Sequence, residues 1–256
     1  MKLSTVITFC SIDRRFVSHC IDQAQKFSDE IICTYSPNLQ DGRVDDSAVL
    51  QEIIRENSGK AEFISVPLRN EADKYGVSPV CGFRWAGFKA LQNKPDWVLF
   101  LDADEIIDGE RFFDVSAALN SPYYEGMCNA FSLRCYWYFR SAKYQATKTE
   151  NAGTAIRREM MKPEYIFNRM ERWGACAAPL YVHDVRGADG LPLCHHYSWV
   201  RTKKEMLDKV QGWGHCHDRD WTKLVEAEFS HDFNGRDFVH GYEYKTLEKP
   251  FVEVGL

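Results

Sequence analysis

The chain has 256 residues, of which 45% are hydrophobic and 27% are charged, and its formal net charge is −5. This length allows one sizeable core, or a ligand-binding half joined to a smaller substrate-binding half. Because no long run of Lys or Arg is present, the sequence argues against a general nucleic-acid-binding protein. An acidic protein that binds an anionic ligand must neutralise it locally, through a divalent cation or a few arginines.

We interpret no segment of the sequence as a membrane span or as an export signal. No apolar stretch approaches the length that spans a bilayer. The short apolar run from Val6 to Cys10 is followed by charged residues, which predicts a buried first strand rather than a signal peptide. The nine cysteines are scattered and odd in number. They predict reduced thiols in a cytoplasmic protein rather than a disulfide framework.

Strand and helix patterns alternate through the first hundred residues. The predicted strands are residues 4–10, 30–35, 61–66 and 97–101, and the predicted helices are residues 14–27, 49–54 and 80–91. Repeated βα units of this size predict an α/β fold with a mostly parallel central sheet and helices on its faces. Ligands in such sheets bind beyond the carboxyl ends of the strands.

The pattern changes after about residue 125. Residues 130–139 alternate between apolar and polar positions, which predicts a long, half-buried strand. Residues 140–195 are rich in basic and aromatic side chains and are predicted to be rich in loops, and residues 203–214 are predicted to form a helix. Since no repeat or linker is present, we predict a single domain over residues 1–256, with halves at 1–125 and 126–256.

Three acidic residues follow directly on the apolar run at 97–101, namely Asp102, Asp104 and Glu105. Asp102 and Asp104 are two positions apart, so their side chains leave an extended chain on the same side. Two carboxylates at the end of a strand form a hard-oxygen site suited to Mn²⁺ or Mg²⁺, with open positions for substrate phosphates. The alternative is a solvated acidic turn.

The segment from Trp97 to Glu105 resembles the Asp-x-Asp segment of family 2-like glycosyltransferases with the GT-A fold. The resemblance includes the opening strand and helix and residues 84–88, one helix before the motif. It implies a Rossmann-like GT-A fold whose metal, held by Asp102 and Asp104, bridges the diphosphate of a nucleotide sugar. At the end of the second predicted strand, where many members carry an acidic residue, residues 33–38 have none.

The same resemblance implies partners for each half. Residues 1–125 would bind a UDP-, GDP- or dTDP-sugar through Asp102, Ala103 and Asp104, and the second half would bind a glycan or lipid-linked glycan acceptor. Arg84 stands where the family often places a basic residue near the nucleotide. It would contact the diphosphate or the base, or it is a surface residue of its helix.

A second informative stretch runs through residues 181–185 and 193–201. It resembles bacterial transferases of the lipopolysaccharide-core glucosyltransferase type, which carry a Val-His-Glu segment and then a His-Tyr segment. Asp184 replaces the Glu of that pattern and is our first candidate for the general base of an inverting transfer, with Asp189 second. A loop salt bridge is the alternative for Asp184.

His195 and His196 are adjacent, so only one of them can face a given site in an extended chain. Position in the family favours His196 as a further metal ligand, and a packed structural histidine is the alternative. Residues 194–196 and the run His215-Cys216-His217 contain zinc-type donors, but their spacing does not fit a finger or a ribbon.

Two other functions remain open at this stage. A sugar nucleotidyltransferase also uses paired carboxylates, but the Gly-rich loop such enzymes carry after the first strand is absent from residues 8–13. A non-catalytic glycan-binding protein with the same fold would have lost the metal motif, whereas Asp102 and Asp104 are both present.

Overall fold

The structure is a computed structural model that describes residues 2–119, 127–213, 216 and 218–255. The strands of these residues are β1 (Leu3–Thr8), β2 (Glu30–Tyr35), β3 (Glu62–Ser65), β4 (Trp97–Asp102), β5 (Glu105–Ile107), β6 (Ala130–Phe139), β7 (Ser141–Arg157), β8 (Tyr181–Val185), β9 (Cys194–Trp199) and β10 (Tyr244–Thr246). The helices are α1 (Arg14–Ala24), α2 (Ser47–Glu56), α3 (Pro79–Ala90), α4 (Gly109–Leu119), α5 (Pro163–Ile166), α6 (Lys203–Gly212) and α7 (Trp221–Glu228). Short 3-10 helices cover Ser11–Asp13, Glu71–Tyr75, Arg158–Met160 and Glu171–Ala177.

The ten strands form one sheet whose main path runs β3-β2-β1-β4-β7-β6-β9-β5. The pairs β2–β3, β1–β2 and β1–β4 are parallel, while β7 joins β4 and β6 in antiparallel pairs. Helices flank this sheet, with α3 packed on β1 and β2 and α1 packed near β5. The predicted fold class, an α/β sheet of the Rossmann-like GT-A type, is therefore confirmed.

The sheet curls back on itself around the acidic segment. Only Ala103 and Asp104 separate β4 from β5 along the chain, yet β7, β6 and β9 lie between these two strands in the sheet path. β5 pairs antiparallel with β9, and the Tyr197 amide donates to the Asp104 carbonyl oxygen at 2.8 Å. The curl thus carries β9 to the carboxyl end of β4.

The segment 140–195 also contains the 17-residue strand β7, which the sequence pattern did not predict. Its first part is polar and partly exposed, and its last part is buried between β4 and β6. That combination has no uniform period of two, so the sequence pattern did not reveal it. The predicted helix at 203–214 corresponds to α6, and residue 214 lies outside the described residues.

Close packing of α3 on the sheet depends on a glycine. A Cβ added at Gly87 would lie 2.5 Å from Cγ1 of Val6 and 3.1 Å from Cγ2 of Thr34. The missing side chain lets α3 approach β1 and β2, a known use of glycine at helix–sheet contacts. Arg84 lies one turn earlier on α3 and is thereby held beside the carboxyl end of β4.

No helix in the described ranges combines the length and the apolar character that crossing a bilayer requires. All nine cysteines fall within those ranges, and none of them is bridged.

Candidate active site

A cavity of about 510 Å³ opens at the carboxyl ends of β1, β2 and β4. It lies where an α/β sheet of this kind is expected to bind ligands. Its charged and titratable lining residues include Asp13, Arg84, Asp102, Asp104, Arg169, His196, Arg201, Lys209 and His240. Three tryptophans from the second half, Trp137, Trp199 and Trp213, also line it. Carboxylates, cations and aromatic rings therefore meet in one place.

Asp102, at the end of β4, faces two arginines. Arg84 donates to Oδ1 of Asp102 at 2.7 Å, and Nη1 of Arg172 lies 3.5 Å from Oδ2. Burial favours the neutral carboxyl, but the charges of Arg172 and Arg84 outweigh it and lower the pKa of Asp102. Arg84 is 1% exposed, so it is a buried partner of the acidic segment rather than a surface residue.

Glu105 is turned away from the cavity and forms a buried ion pair. Arg172 donates to Oε2 of Glu105 at 2.6 Å and also contacts Oε1. Oε2 of Glu105 also accepts the Asp102 amide, at 3.0 Å. Glu105 has no exposed surface. It therefore positions Arg172 beside Asp102 instead of contacting a ligand.

Asp104 faces three basic groups from the second half of the chain. Its carboxylate lies 3.4 Å from Nε2 of His196, 3.6 Å from Nη2 of Arg201 and 3.9 Å from Nζ of Lys209. Burial raises the pKa of this carboxyl, but the hydrogen bond from His196 and the charges of His196, Lys209 and Arg201 outweigh burial and lower it. The same contact, with a hydrogen bond to Cys135, raises the pKa of His196 despite its burial.

Arg201 connects the acidic segment to the loop after β1. Its guanidinium donates to Oδ1 of Asp13 at 2.7 Å and to the carbonyl oxygens of Ile12 and Ser198. The side chain is almost completely buried, so its charge is offset by Asp13 and Asp104 rather than by water.

Lys209, on α6, is held between the same carboxylate and an aromatic wall. Its Nζ lies 6.0 Å from the ring centre of Trp199 and 5.7 Å from that of Trp213. Burial, followed by the charge of Arg201, lowers the pKa of Lys209. Lysine is a common ligand of phosphate groups in proteins.

Trp137 forms the wall of the cavity between two histidines. Its ring lies edge-on to His196 and to His240, with ring centroids 4.6 Å apart in both pairs. The indole is 6% exposed, and its Nε1 has no hydrogen-bond partner among the described residues. The ring therefore contributes an aromatic surface to the lining of the cavity.

Three of the predicted site residues do not line the cavity. The methyl group of Ala103 is buried in the core, and its amide donates to the Thr8 carbonyl oxygen. Asp184 is held by Arg186 at 3.0 Å and lies 3.3 Å from Arg134. Asp189 lies at the surface with Arg111 at 2.5 Å. The geometry thus brings Asp102, Asp104, Arg84 and His196 together, and leaves Asp184 and Asp189 elsewhere.

No group of three or more His, Cys, Asp or Glu side chains in the described ranges is arranged to hold a metal ion. His196, the predicted further metal ligand, lies 3.4 Å from Asp104. His195 points the other way, into the core, where its Nδ1 lies 2.7 Å from the Tyr138 hydroxyl. His215 and His217, which the zinc hypothesis would need, lie outside the described residues.

Sequence reasoning assigned no role to four residues of the cavity, namely Asp13, Arg201, Lys209 and His240. One local signal was available for Arg201, since a charged residue directly after the apolar end of a strand must be paired if it is buried. Asp13, Lys209 and His240 carry no such signal, because their positions depend on how distant segments meet.

Comparison with known proteins finds several solved structures with a similar arrangement of the chain. No protein-family description matches the chain, and no curated protein matches its sequence. The 4-diphosphocytidyl-2C-methyl-D-erythritol synthase of Anaerococcus prevotii is 13% identical, with a TM-score of 0.45 over 74% of this chain and 90% of that one. TarS of S. aureus is 13% identical, with a TM-score of 0.42 over 91% and 73%. The glycosyltransferase GlyE of Streptococcus pneumoniae is 12% identical, with a TM-score of 0.40 over 90% and 64%. At these values the similarity assigns no activity or substrate to this chain.

Proposed function

We propose that the protein is a glycosyltransferase that moves a sugar from a nucleotide-sugar donor to a hydroxyl of a glycan or lipid-linked glycan. One observation carries the proposal: two strand-end carboxylates, Asp102 and Asp104, share a cavity with three arginines, a lysine, two histidines and an aromatic wall. A nucleoside diphosphate sugar needs cations for its phosphates and aromatic faces for its rings. The proposed donors are UDP-, GDP- or dTDP-sugars, and the proposed compartment is the cytoplasm, in keeping with nine unbridged cysteines.

The charges of the cavity suggest how the chain would stabilise the reaction. Negative charge grows on the diphosphate as the bond to the sugar breaks. Lys209 and Arg201 lie within 3.9 Å of Asp104, so they are held at the cavity wall before any ligand arrives. Cations fixed in place in this way stabilise developing charge without reorganisation during the reaction.

We further propose that a divalent metal binds at the two carboxylates of the cavity, with phosphates of the donor completing its ligands. Asp102 keeps 39% of its side chain exposed and Asp104 lines the same cavity, so both can offer oxygen ligands to Mn²⁺ or Mg²⁺. One or two carboxylates are the usual protein share of such a site when substrate phosphates supply the remaining ligands. When bound, the metal would supply Lewis-acid stabilisation of the leaving diphosphate.

The proposal is tested by donor binding and by the identity of the product. We would measure the thermal shift of the protein with UDP-glucose, UDP-galactose, GDP-mannose and dTDP-glucose, each with Mn²⁺ and with EDTA. A ligand present at 100 times its Kd stabilises the native state by about 2.7 kcal/mol. The donor with the largest shift is then incubated with methyl glycosides, and nucleoside diphosphate release is followed.

Each outcome separates one function from another. Release of a nucleoside diphosphate with transfer of the sugar supports a glycosyltransferase, and NMR of the product then tests the expected inversion at the anomeric carbon. Release of pyrophosphate from a nucleoside triphosphate and a sugar phosphate would instead identify a nucleotidyltransferase. Binding of glycans with no turnover of any donor would identify a non-catalytic protein.

A further inference from the structure

Transfer of a sugar to a hydroxyl requires a group that accepts the hydroxyl proton. Most titratable groups at the cavity are already engaged. Asp13 binds Arg201, Asp102 binds Arg84, and Asp104 faces three basic groups. A carboxylate with a cationic partner is a weak base, because the partner stabilises its charged form.

His240 is the exception among these groups. Its ring lies at the cavity wall, edge-on to Trp137 at 4.6 Å between centroids and stacked on Tyr242 at 5.0 Å. In the part of the chain that the structure describes, neither ring nitrogen has a hydrogen-bond partner, and the side chain is exposed. A ring nitrogen without such a partner is open to a hydroxyl group bound in the cavity.

The loop that carries His240 is built around one buried carboxylate. Asp237 is 3% exposed, and it accepts the amides of Val239, His240, Gly241 and Tyr242 at 2.5–3.2 Å. It also accepts the Tyr244 hydroxyl at 2.9 Å. Burial of a carboxylate is costly unless hydrogen bonds satisfy it, so these five bonds fix the loop tightly. The result is a rigid loop that presents an exposed histidine to the cavity.

We propose that His240 is the general base of the sugar transfer, which makes this inference dependent on the proposed function. The acceptor oxygen forms its bond to the anomeric carbon while its proton passes to an imidazole nitrogen of His240. At the same time the bond from the anomeric carbon to the phosphate oxygen breaks, and its electron pair leaves with the nucleoside diphosphate. Asp237 is a positioning residue, because it acts only through the loop.

The test compares His240→Ala and His240→Gln with the unaltered protein. The matched control is His231→Gln, an exposed histidine of the same half that does not line the cavity. The probe is the donor with the largest thermal shift in the panel above, with methyl glycosides or water as acceptors. We expect kcat to fall by 10²–10⁴-fold in both His240 variants, with donor binding unchanged. Added imidazole should restore part of kcat in His240→Ala, since that variant leaves space for it.

Three results would overturn the proposal. Normal kcat in His240→Ala would exclude His240 as the base. A kcat that falls without any rescue by imidazole would assign His240 to packing or binding. A fall in kcat that occurs only in an Asp184→Asn variant would show that Asp184 is the general base. If the unaltered protein turns over no donor, the proposed function fails first, and the role of His240 fails with it.

Discussion

Arg172 binds Glu105 through both terminal nitrogens of its guanidinium, across 67 positions of sequence. The same guanidinium lies 3.5 Å from Asp102. Glu105 therefore acts on the candidate site at one remove, by holding a cation against the first aspartate of the motif. Glu105, which follows the candidate metal ligands Asp102 and Asp104 in the sequence, therefore stabilises the structure of the site.

Removal of either partner of this pair should destabilise the protein. A buried charge that loses its partner typically costs about 3–5 kcal/mol. We expect Glu105→Leu and Arg172→Met each to lower the free energy of unfolding by about that amount. The double variant should lose less than the sum of the two. The free energy of unfolding of all four proteins is measured by denaturation in urea. Strictly additive losses would show that the two side chains do not interact.

Asp104→Asn should remove both an ion-pair partner and a proposed metal ligand. The carboxylate faces His196, Arg201 and Lys209, so the variant leaves these groups without their shared anion. We expect a folded chain with a lower Tm and no stimulation of donor turnover by Mn²⁺. A loss of about 4 kcal/mol in stabilisation of the transition state would lower kcat by roughly 10³-fold. Asp232→Asn, at an exposed position, is the control, and full Mn²⁺-stimulated turnover in Asp104→Asn would contradict the proposal.

His195 should make stability fall as the pH is lowered. Burial, followed by the charge of Arg111, lowers the pKa of His195 to about 3 in the folded chain. The ring is enclosed by the Tyr138 hydroxyl, which lies 2.7 Å from Nδ1 of His195 and accepts a hydrogen bond from Gln145 at 2.8 Å. Below pH 6.5 the unfolded chain binds a proton here that the folded chain excludes. Stability is therefore lost at about 1.4 kcal/mol per pH unit between 6.5 and 3.

The prediction for His195 is tested by comparing the free energies of unfolding of two proteins. The free energy of unfolding in urea is measured for the unaltered chain and for His195→Phe at pH 7, 6 and 5. The difference between the two proteins removes the contribution of the other titrating groups. We expect the advantage of the unaltered chain to shrink with each unit of acidification. A constant difference over that range would show that His195 is not held neutral.

All nine cysteines should be free thiols. Six of them are buried, and burial raises the pKa of thiols such as Cys20, Cys33 and Cys194. Since the thiolate is the reactive form, the six buried thiols should react slowly in the native protein. Ellman titration of the unfolded chain should give nine thiols with or without prior reduction. A count that rises only after reduction would reveal disulfides.

The local pattern of the sequence was enough to predict most elements of the first half. The apolar run at 97–101 and the strand β4 differ by a single residue, Asp102, because a strand that is buried on both faces needs a continuous apolar sequence. β7 escaped prediction because its two ends lie in different environments. Its last residues are central in the sheet, while its first residues pair with β10 at the edge.

The partners of the acidic segment could not be predicted in the same way. Asp102 and Asp104 were visible because they directly follow β4. Arg172 and Lys209 meet them only through the curl of the sheet, which no local period encodes. The base was sought at Asp184 through a family pattern, and that residue lies among Arg134 and Arg186 instead.

The curl of the sheet also has a consequence for the order of folding. Asp104 leaves the ribosome well before His196, Arg201 and Lys209, the groups that neutralise it. A chain released or stalled after β5 would hold its strand-end carboxylates without those cations, so the site has no stable precursor in the first half alone. Contacts between residues far apart in sequence form slowly. We therefore expect docking of β9 and α6 to be a late step, and the partly folded chain before it to be the species most exposed to aggregation.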